Sequence, residues 1–339
     1  MGLDEASRGR LAEFIAENSR ASSVTINSIS RLTGGAIQEN YSLDINIHGG
    51  DWDGTHTWVL RTDAPSSVQV SMSRVQEFTV LQAAYDSGVT VPKPLWCCDD
   101  VLAIGRCFYL MQRVDGIADA RTLVRADWND TQREHFVQCL GRELAMIHAI
   151  DVSKFNLDFL SSPHPSPAQA RINQYRNYLD DLPDPHPVLE WGLRWLEINV
   201  PAESVTVFCH CDYRSGNIMV DNGELAGILD WEFAGLSDPL EDIAWFCARC
   251  WRFGQNHYQA GGIGQREDFY RAYAERSGRV VDNEQVTYWE VMAAVRWAVI
   301  ALQQTQRHLS GEQESLELAL TGRIVPEMEY DILQMTQPV

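Results

Sequence analysis

Positive charge is scarce in this chain. Its 339 residues carry 27 Lys and Arg against 47 Asp and Glu, for a net charge of −20. Nucleic-acid binding relies on clustered Lys and Arg to neutralise phosphates, so no nucleic-acid partner is expected. The same balance argues against an anionic membrane surface. It permits a cationic small substrate, and it equally suits a solvated acidic surface. Long apolar runs are also missing. The most apolar late stretch, Val291 to Leu302, is short and interrupted by Arg296, so no membrane span is expected. The start, Met1-Gly2-Leu3-Asp4-Glu5-Ala6, has acids where a secretory signal has bases, and Ala6 breaks the myristoylation pattern. The eight cysteines, at 97, 98, 107, 139, 209, 211, 247 and 250, are too few for a disulfide scaffold in this length. Free thiols in a reducing cytoplasm are expected. Walker A and dinucleotide fingerprints are absent, as are internal repeats and low-complexity tracts.

What is present reads as an ordinary globular chain, 45% hydrophobic and 22% charged, long enough for two domains. Residues 3–20 have helical spacing, with Leu11, Phe14 and Ile15 on one side. Val24 to Leu32 is β-like and Gly34-Gly35 breaks it. Asn40 to Ile47 alternates, with Tyr41, Leu43, Ile45 and Ile47 on one face. A turn at 48–54 leads to a second strand, Thr57 to Arg61, so the pair predicts a hairpin. Residues 72–86 predict a helix with Val75, Phe78, Leu81 and Ala84 in one stripe. Residues 106–111 predict another strand. After Asp115-Gly116 the spacing turns helical, most strongly over 131–150, where Phe136, Leu140, Leu144 and Ile147 align. Helices are also predicted at 168–180, 187–199, 238–252, 266–277, 282–309 and through most of 312–336. The organisation is a β-rich first third and a helix-rich remainder, with a seam near residue 112, which points to an α+β fold.

The chemistry concentrates in residues 205–232. Val205 to Phe208 reads as a buried strand running into a polar loop with Asp212 and Asn217. Ile218-Met219-Val220 is a strand, Asp221-Asn222-Gly223 a turn signal, and Leu225 to Leu229 the return strand. Such a hairpin brings its open ends together, so Asp212, Asn217 and Asp230 are expected to converge. One carboxylate and one amide oxygen suit Mg²⁺, and a carboxylate left free of metal can orient a hydroxyl or take its proton. An Asp, four residues, an Asn, and a second Asp after a hairpin is the kinase arrangement.

These residues carry a resemblance. His210 to Asn217, Ile228-Leu-Asp-Trp-Glu232 and Ser237-Asp-Pro-Leu-Glu-Asp-Ile-Ala-Trp245 resemble the aminoglycoside phosphotransferase and choline kinase superfamily. Within it, the chain looks most like proteins related to the kinase-like domains fused to some acyl-CoA dehydrogenases. The resemblance spans roughly residues 28–335. It implies a bilobal protein-kinase-like fold, with a β-rich N-lobe over 1–112 that carries the nucleotide-binding sheet. A mainly helical C-lobe over 113–339 would carry the catalytic loop and substrate pocket. It implies an ATP-dependent phosphotransferase acting on an alcohol group, with ATP and Mg²⁺ as cofactors. Asp212 would be the catalytic base, with Arg214 facing the γ-phosphate. Asn217 and Asp230 would hold Mg²⁺. The loop Gly34, Gly35 to Asn40 sits where a phosphate-covering loop belongs. Arg61 sits where kinases place the strand lysine, with Glu77 as its partner carboxylate. Met111, Gln112 and Val114 fall where an interlobe hinge would bind adenine through its backbone. The chain departs from the pattern in having Arg at 61 rather than Lys, and Cys211 where the family usually has Gly.

Other residues have blander readings beside the sharp ones. On a strand, Cys209 and Cys211 share one face and His210 the other, so a zinc cluster there is not expected. His210 is read as orienting the catalytic loop. Cys247 and Cys250 sit in a helical pattern and are read as packing residues. Asp238 before Pro239 is a helix-entry signal. Asp242 is either an acceptor behind the catalytic loop or a solvated helix residue. The aromatic run through Trp245, Trp251 and Tyr258 reads as core rather than pocket. The leading function is a cytoplasmic small-molecule kinase. A hydroxyacyl thioester is the substrate favoured by the subgroup resemblance, and an amino sugar or amino alcohol the one favoured by the acidic charge. A nucleotide-binding pseudokinase is the alternative from another class, and a homodimer is left open.

Overall fold

The computed structural model describes residues 4–32, 38–63 and 71–337. Its first stretch runs α1 (Glu5–Ser19), β1 (Ser23–Arg31), β2 (Gln38–His48), β3 (Gly54–Asp63), α2 (Arg74–Asp86), β4 (Pro94–Cys98), α3 (Val101–Ile104) and β5 (Phe108–Gln112). Helices α4 (Ala120–Val124), α5 (Asp130–His148), α6 (Pro167–Asp180) and α7 (Pro187–Ile198) follow, then β6 (Val207–Cys209), β7 (Ile218–Asp221), β8 (Glu224–Ile228) and β9 (Gly235–Ser237). The chain ends with α8 (Pro239–Cys247), α9 (Arg266–Ser277), α10 (Asn283–Leu309), α11 (Leu316–Thr321) and α12 (Val325–Met335). Two compact units emerge. One comprises Met1–Gly116, Asp151–Phe159 and Met219–Phe233, and the other Ile117–Ile150, Leu160–Ile218 and Ala234–Val339.

The first unit is built on an antiparallel sheet ordered β1-β2-β3-β5-β4. The alternation in β2 does what period-2 patterning requires, burying Leu43, Ile45 and Ile47 with Trp58 and Leu60 of β3. Leu11 and Ile15 of α1 complete that face, and Asp4 caps α1 by accepting from the Ser7 amide. A capping box of Ser73 and Gln76 opens α2. The buried face of α2 keeps Leu81 and Ala84 of the stripe its apolar spacing suggests but not its first residue. Val75 is exposed, while Arg74, Glu77, Val80, Leu81 and Ala84 are buried. The helix is turned so that its ionic residues face inward, because Glu77 meets a guanidinium from β3. Strand β4 is short and was not legible from alternation, since Leu95 to Cys97 are all half-buried. The β7–β8 hairpin forms as expected. Asn222 and Gly223 both take positive φ, 48° and 85°, the backbone of a tight hairpin turn.

The second unit is helical. The predicted stripe of α5 is buried, with Phe136, Leu140, Leu144 and Ile147 at 1% exposure or less. Gly141 lets α5 lie close to α9, where an added Cβ would come within 2.5 Å of the Phe269 carbonyl. Strands β6 and β9 pair through Val207–Ser237 and Cys209–Gly235. Val205 is exposed, so β6 starts later than its sequence suggests. Among the described residues, no helix is long and apolar enough to cross a membrane.

Candidate active site

In the second unit, β6 delivers the chain into His210-Cys211-Asp212. Cys211 takes φ 58°, a left-handed conformation that favours glycine. Asp242 on α8 holds this bend. Its oxygens accept from the amides of His210 and Cys211, each at 2.8 Å, and its Oδ2 meets His148 Nε2 at 3.1 Å. His148 Nδ1 in turn lies 2.8 Å from the Tyr273 hydroxyl. The structure thus decides the open reading of Asp242: it is fully buried and anchors the loop. Burial by itself would raise its pKa. The His148 hydrogen bond and charge, with His210, outweigh that and pull it below the ordinary aspartate value of 3.8. Cys209 lies near His148 and Asp242 rather than joining Cys211 in a ligand set, and its thiol donates to the Asp238 carbonyl at 3.6 Å. Asp238 caps α8 by accepting from Leu240. His210 works as read from sequence, its Nδ1 accepting from the Asp212 amide at 3.2 Å.

The Asp212 carboxylate is 6% exposed and is held on both oxygens. Oδ1 accepts from the Trp245 indole N–H at 2.9 Å, and Oδ2 from the Asn217 amide at 2.7 Å. Arg214 Nε reaches the same oxygens at 3.3 and 3.1 Å. Asn217 also donates to the Asp212 carbonyl at 2.9 Å, which turns its own amide oxygen away from Asp212. Arg214 lies over the Trp251 ring, 4.8 Å from its centroid, and Ser215 donates to the Trp251 carbonyl.

In the first unit, β3 points Arg61 away from Leu60 and onto α2. Its Nε donates to Glu77 Oε2 at 3.1 Å and its Nη2 meets Glu77 Oε1 at 2.8 Å. The expected Arg61–Glu77 pair is therefore present. Nη2 also donates to Asp230 Oδ1 at 2.5 Å. Asp230 follows β8 with φ 69°, a turn that aspartate tolerates better than most residues. Burial alone would lower the Arg61 pKa, but Glu77 and then Asp230 raise it well above the usual value and keep the guanidinium charged. Asn40 stands opposite Arg61 in the β2–β3 register, and its buried amide oxygen has no hydrogen-bond partner among the described residues. Gly34 and Gly35 lie outside the described residues. Met111 and Gln112 end β5, and Val114 is half-buried just beyond it. The Gln112 amide is spent on the Lys93 carbonyl at 2.9 Å, so Gln112 does not offer its N–H to a ligand.

Sequence reading missed several members of these clusters. Arg74 is fully buried, and its Nη1 donates to Glu77, so Glu77 serves two guanidiniums. Its spacing of three before Glu77 on one helix was the available signal. Trp245 is core as read, and its N–H bond to Asp212 is what went unforeseen, although it lies three residues after Asp242 on α8 and so shares its face. Glu241, beside Asp242, is bound by Arg171 Nε at 2.8 and 3.1 Å and by the Ser237 hydroxyl, pairings that no local pattern announces.

The His-x-Asp loop with its Asn, the hairpin and the second Asp agree with what the chain matches. The phosphotransferase enzyme family matches residues 28–285. The chain belongs to this family. Among curated relatives of the chain, acyl-CoA dehydrogenase family member 10 from Mus musculus is 26% identical over 286 residues. That match takes in 80% of this chain but 26% of the mouse protein, so the chain spans about a quarter of that relative's length. Among solved structures, a protein from Ralstonia eutropha of the aminoglycoside phosphotransferase type superposes with a TM-score of 0.78 at 21% identity, covering 99% of this chain and 98% of that one. A thermostable mutant of aminoglycoside phosphotransferase APH(4)-Ia, in a ternary complex with ADP and hygromycin B, superposes at 0.62 with 15% identity, covering 97% of this chain and 99% of that one. The fold is the kinase-like fold of the aminoglycoside phosphotransferases: the first unit carries its five-stranded sheet and the second its helices.

Proposed function

We propose that this phosphotransferase is an ATP-dependent kinase that moves the γ-phosphoryl group to a hydroxyl of a small metabolite, with a hydroxyacyl thioester as the leading acceptor. The observation that carries the reading is the Asp212 carboxylate, held on both oxygens by N–H donors on a loop anchored from behind by Asp242. A carboxylate so fixed can accept the acceptor hydroxyl's proton as its oxygen attacks phosphorus and the ADP oxygen leaves. Arg214, already at that carboxylate, supplies a cation for the γ-phosphate. Asp230 and Asn217 offer hard oxygen donors of the kind Mg²⁺ takes. They would hold that ion, which would supply positive charge against the phosphates. Arg61 is assigned to the α and β phosphates, with Glu77 and Asp230 holding its guanidinium in place. Asn40, across from Arg61, brings an unsatisfied amide to the same strand pair. Met111 and Val114 are assigned to adenine recognition through their backbone.

The acceptor class rests on likeness to the acyl-CoA dehydrogenase relatives. The net charge of −20 is what favours an amino sugar or amino alcohol instead. An ATP-consumption screen over hydroxyacyl-CoAs, amino alcohols and aminoglycosides, with products weighed by mass spectrometry, separates them. A phosphorylated hydroxyacyl product is expected. Efficient phosphorylation of an aminoglycoside alone would overturn the acceptor assignment, and ATP binding without turnover of any acceptor would favour a pseudokinase.

The Arg61 network makes a graded prediction. Arg61→Ala should weaken ATP binding about ten- to a hundredfold, the worth of a charge-assisted contact. Arg61→Lys should recover part of this, since Lys keeps the charge and loses the fork. Glu77→Ala should cost more than Arg61→Ala in stability, because it strips a partner from two buried guanidiniums at once. Calorimetric titration of ATP into the two single variants and the double variant should give less-than-additive losses. Additive losses would separate the two residues.

A further inference from the structure

The Trp245 indole is the one donor to Asp212 to which neither the sequence nor the family match gives a role. It is 2% exposed, and its Nε1–H lies 2.9 Å from Asp212 Oδ1. Asn217 takes the other oxygen at 2.7 Å, so the two donors together fix the plane of the carboxylate. A second observation lies on the opposite side of the ring. The Arg296 guanidinium sits over Trp245 at 4.0 Å from the ring centroid. Arg296 Nη1 stands 3.8 Å from Glu241 Oε1, and Glu241 is itself pinned by Arg171 and Ser237. The ring therefore cannot turn without breaking a cation–π contact on its face and a charged hydrogen bond at its edge. A cation over an aromatic face also draws electron density from it, which makes the indole N–H a stronger donor. The neighbours Trp251 and Trp297 pack against the same indole at 5.1 and 6.4 Å, edge-on.

We propose that Trp245 is a positioning residue for phosphoryl transfer: its indole N–H, backed by Arg296, holds the Asp212 carboxylate in the orientation that receives the acceptor hydroxyl. This rests on the reading of Asp212 as the catalytic base. The role differs from plain packing because it resides in one N–H group. A phenylalanine keeps an aromatic face on which Arg296 can rest and removes that donor, at the cost of the smaller ring's lost packing.

Two measurements test it. In steady-state kinetics with the acceptor found in the screen, Trp245→Phe should lower kcat about 10- to 100-fold, the worth of one charge-assisted hydrogen bond, with the KM for ATP near wild type and a modest fall in melting temperature from the smaller ring. Arg296→Met keeps a flexible side chain on the ring and removes the charge, and should lower kcat by a smaller factor, about 3-fold, again with little change in KM. Equal turnover in Trp245→Phe and wild type would overturn the proposal, as would a parallel fall of kcat, ATP affinity and melting temperature, which is the pattern of a core residue. The second measurement needs no turnover. In spectra of protein carrying ¹⁵N-labelled tryptophan, the indole signal missing from Trp245→Phe should shift in Asp212→Ala. An unmoved signal would overturn the contact. A moved signal in a protein that transfers phosphate to no acceptor would leave the contact standing and bring down the kinase reading, and with it the positioning role of Trp245.

Discussion

Asp212→Asn should abolish most phosphoryl transfer, lowering kcat by about 10³-fold within the range expected for loss of a general base. ATP affinity should stay near wild type, because the Arg61 contacts assigned to the nucleotide are untouched. The substitution is close to isosteric but it reverses half of the carboxylate's chemistry. Three N–H groups, from Trp245, Asn217 and Arg214, point at the two oxygens. An amide can meet only part of that set, and its NH₂ must face at least one donor. A moderate drop in melting temperature should therefore accompany the kinetic loss, about 1–3 kcal/mol for an unsatisfied buried group. Turnover is measured by product mass, and affinity by titration. Wild-type-like turnover would remove Asp212 from the mechanism.

Asp242→Ala should be the most destabilising single change in the second unit, at about 3–5 kcal/mol. Its side chain is fully buried and serves two backbone amides and His148. Removal leaves both amides unpaired beneath Cys211, where the backbone already sits in a left-handed turn. The loop that carries Asp212 loses its anchor, so activity should fall with stability. The acid limb supplies a second readout. Asp242 has a folded pKa below the ordinary 3.8, so its ionised form is favoured by folding. Its contribution is fully present above 3.8 and is lost as pH falls through the depressed folded value. Asp242→Asn should therefore flatten the loss of stability below pH 4 that wild type shows. Urea midpoints across pH 3 to 7 measure both effects, provided the slope m stays constant. A midpoint equal to wild type in Asp242→Ala would show that the loop holds itself.

Much of this was legible beforehand, and the reasons are local. The alternation of β2, the stripe of α5 and the Asn222-Gly223 turn are short-range patterns, each read within one element. The order of Asp212, Asn217 and Asp230 pointed to the family that the chain matches, because the pattern lies within one loop and one hairpin. The Arg61–Glu77 pair was also within reach, since strand and helix directions constrain it. Where sequence reading went astray, a polar group had taken a place that apolar spacing reserved for a hydrophobe. Val75 lost its place in α2 to Glu77.

The sequence by itself determined most of the elements, the family and the residue types to which the chemistry is assigned. Only the tertiary structure decided how those residues are shared. Asp230 lies 169 positions from Arg61, Asp242 lies 94 from His148, and Trp245 lies 33 from Asp212. Periodicity reports which face of an element is buried, through the repeat of its own backbone. It carries no information about which buried polar group meets which across the core. That choice is made when packing removes water, and every donor and acceptor left inside has to find a partner.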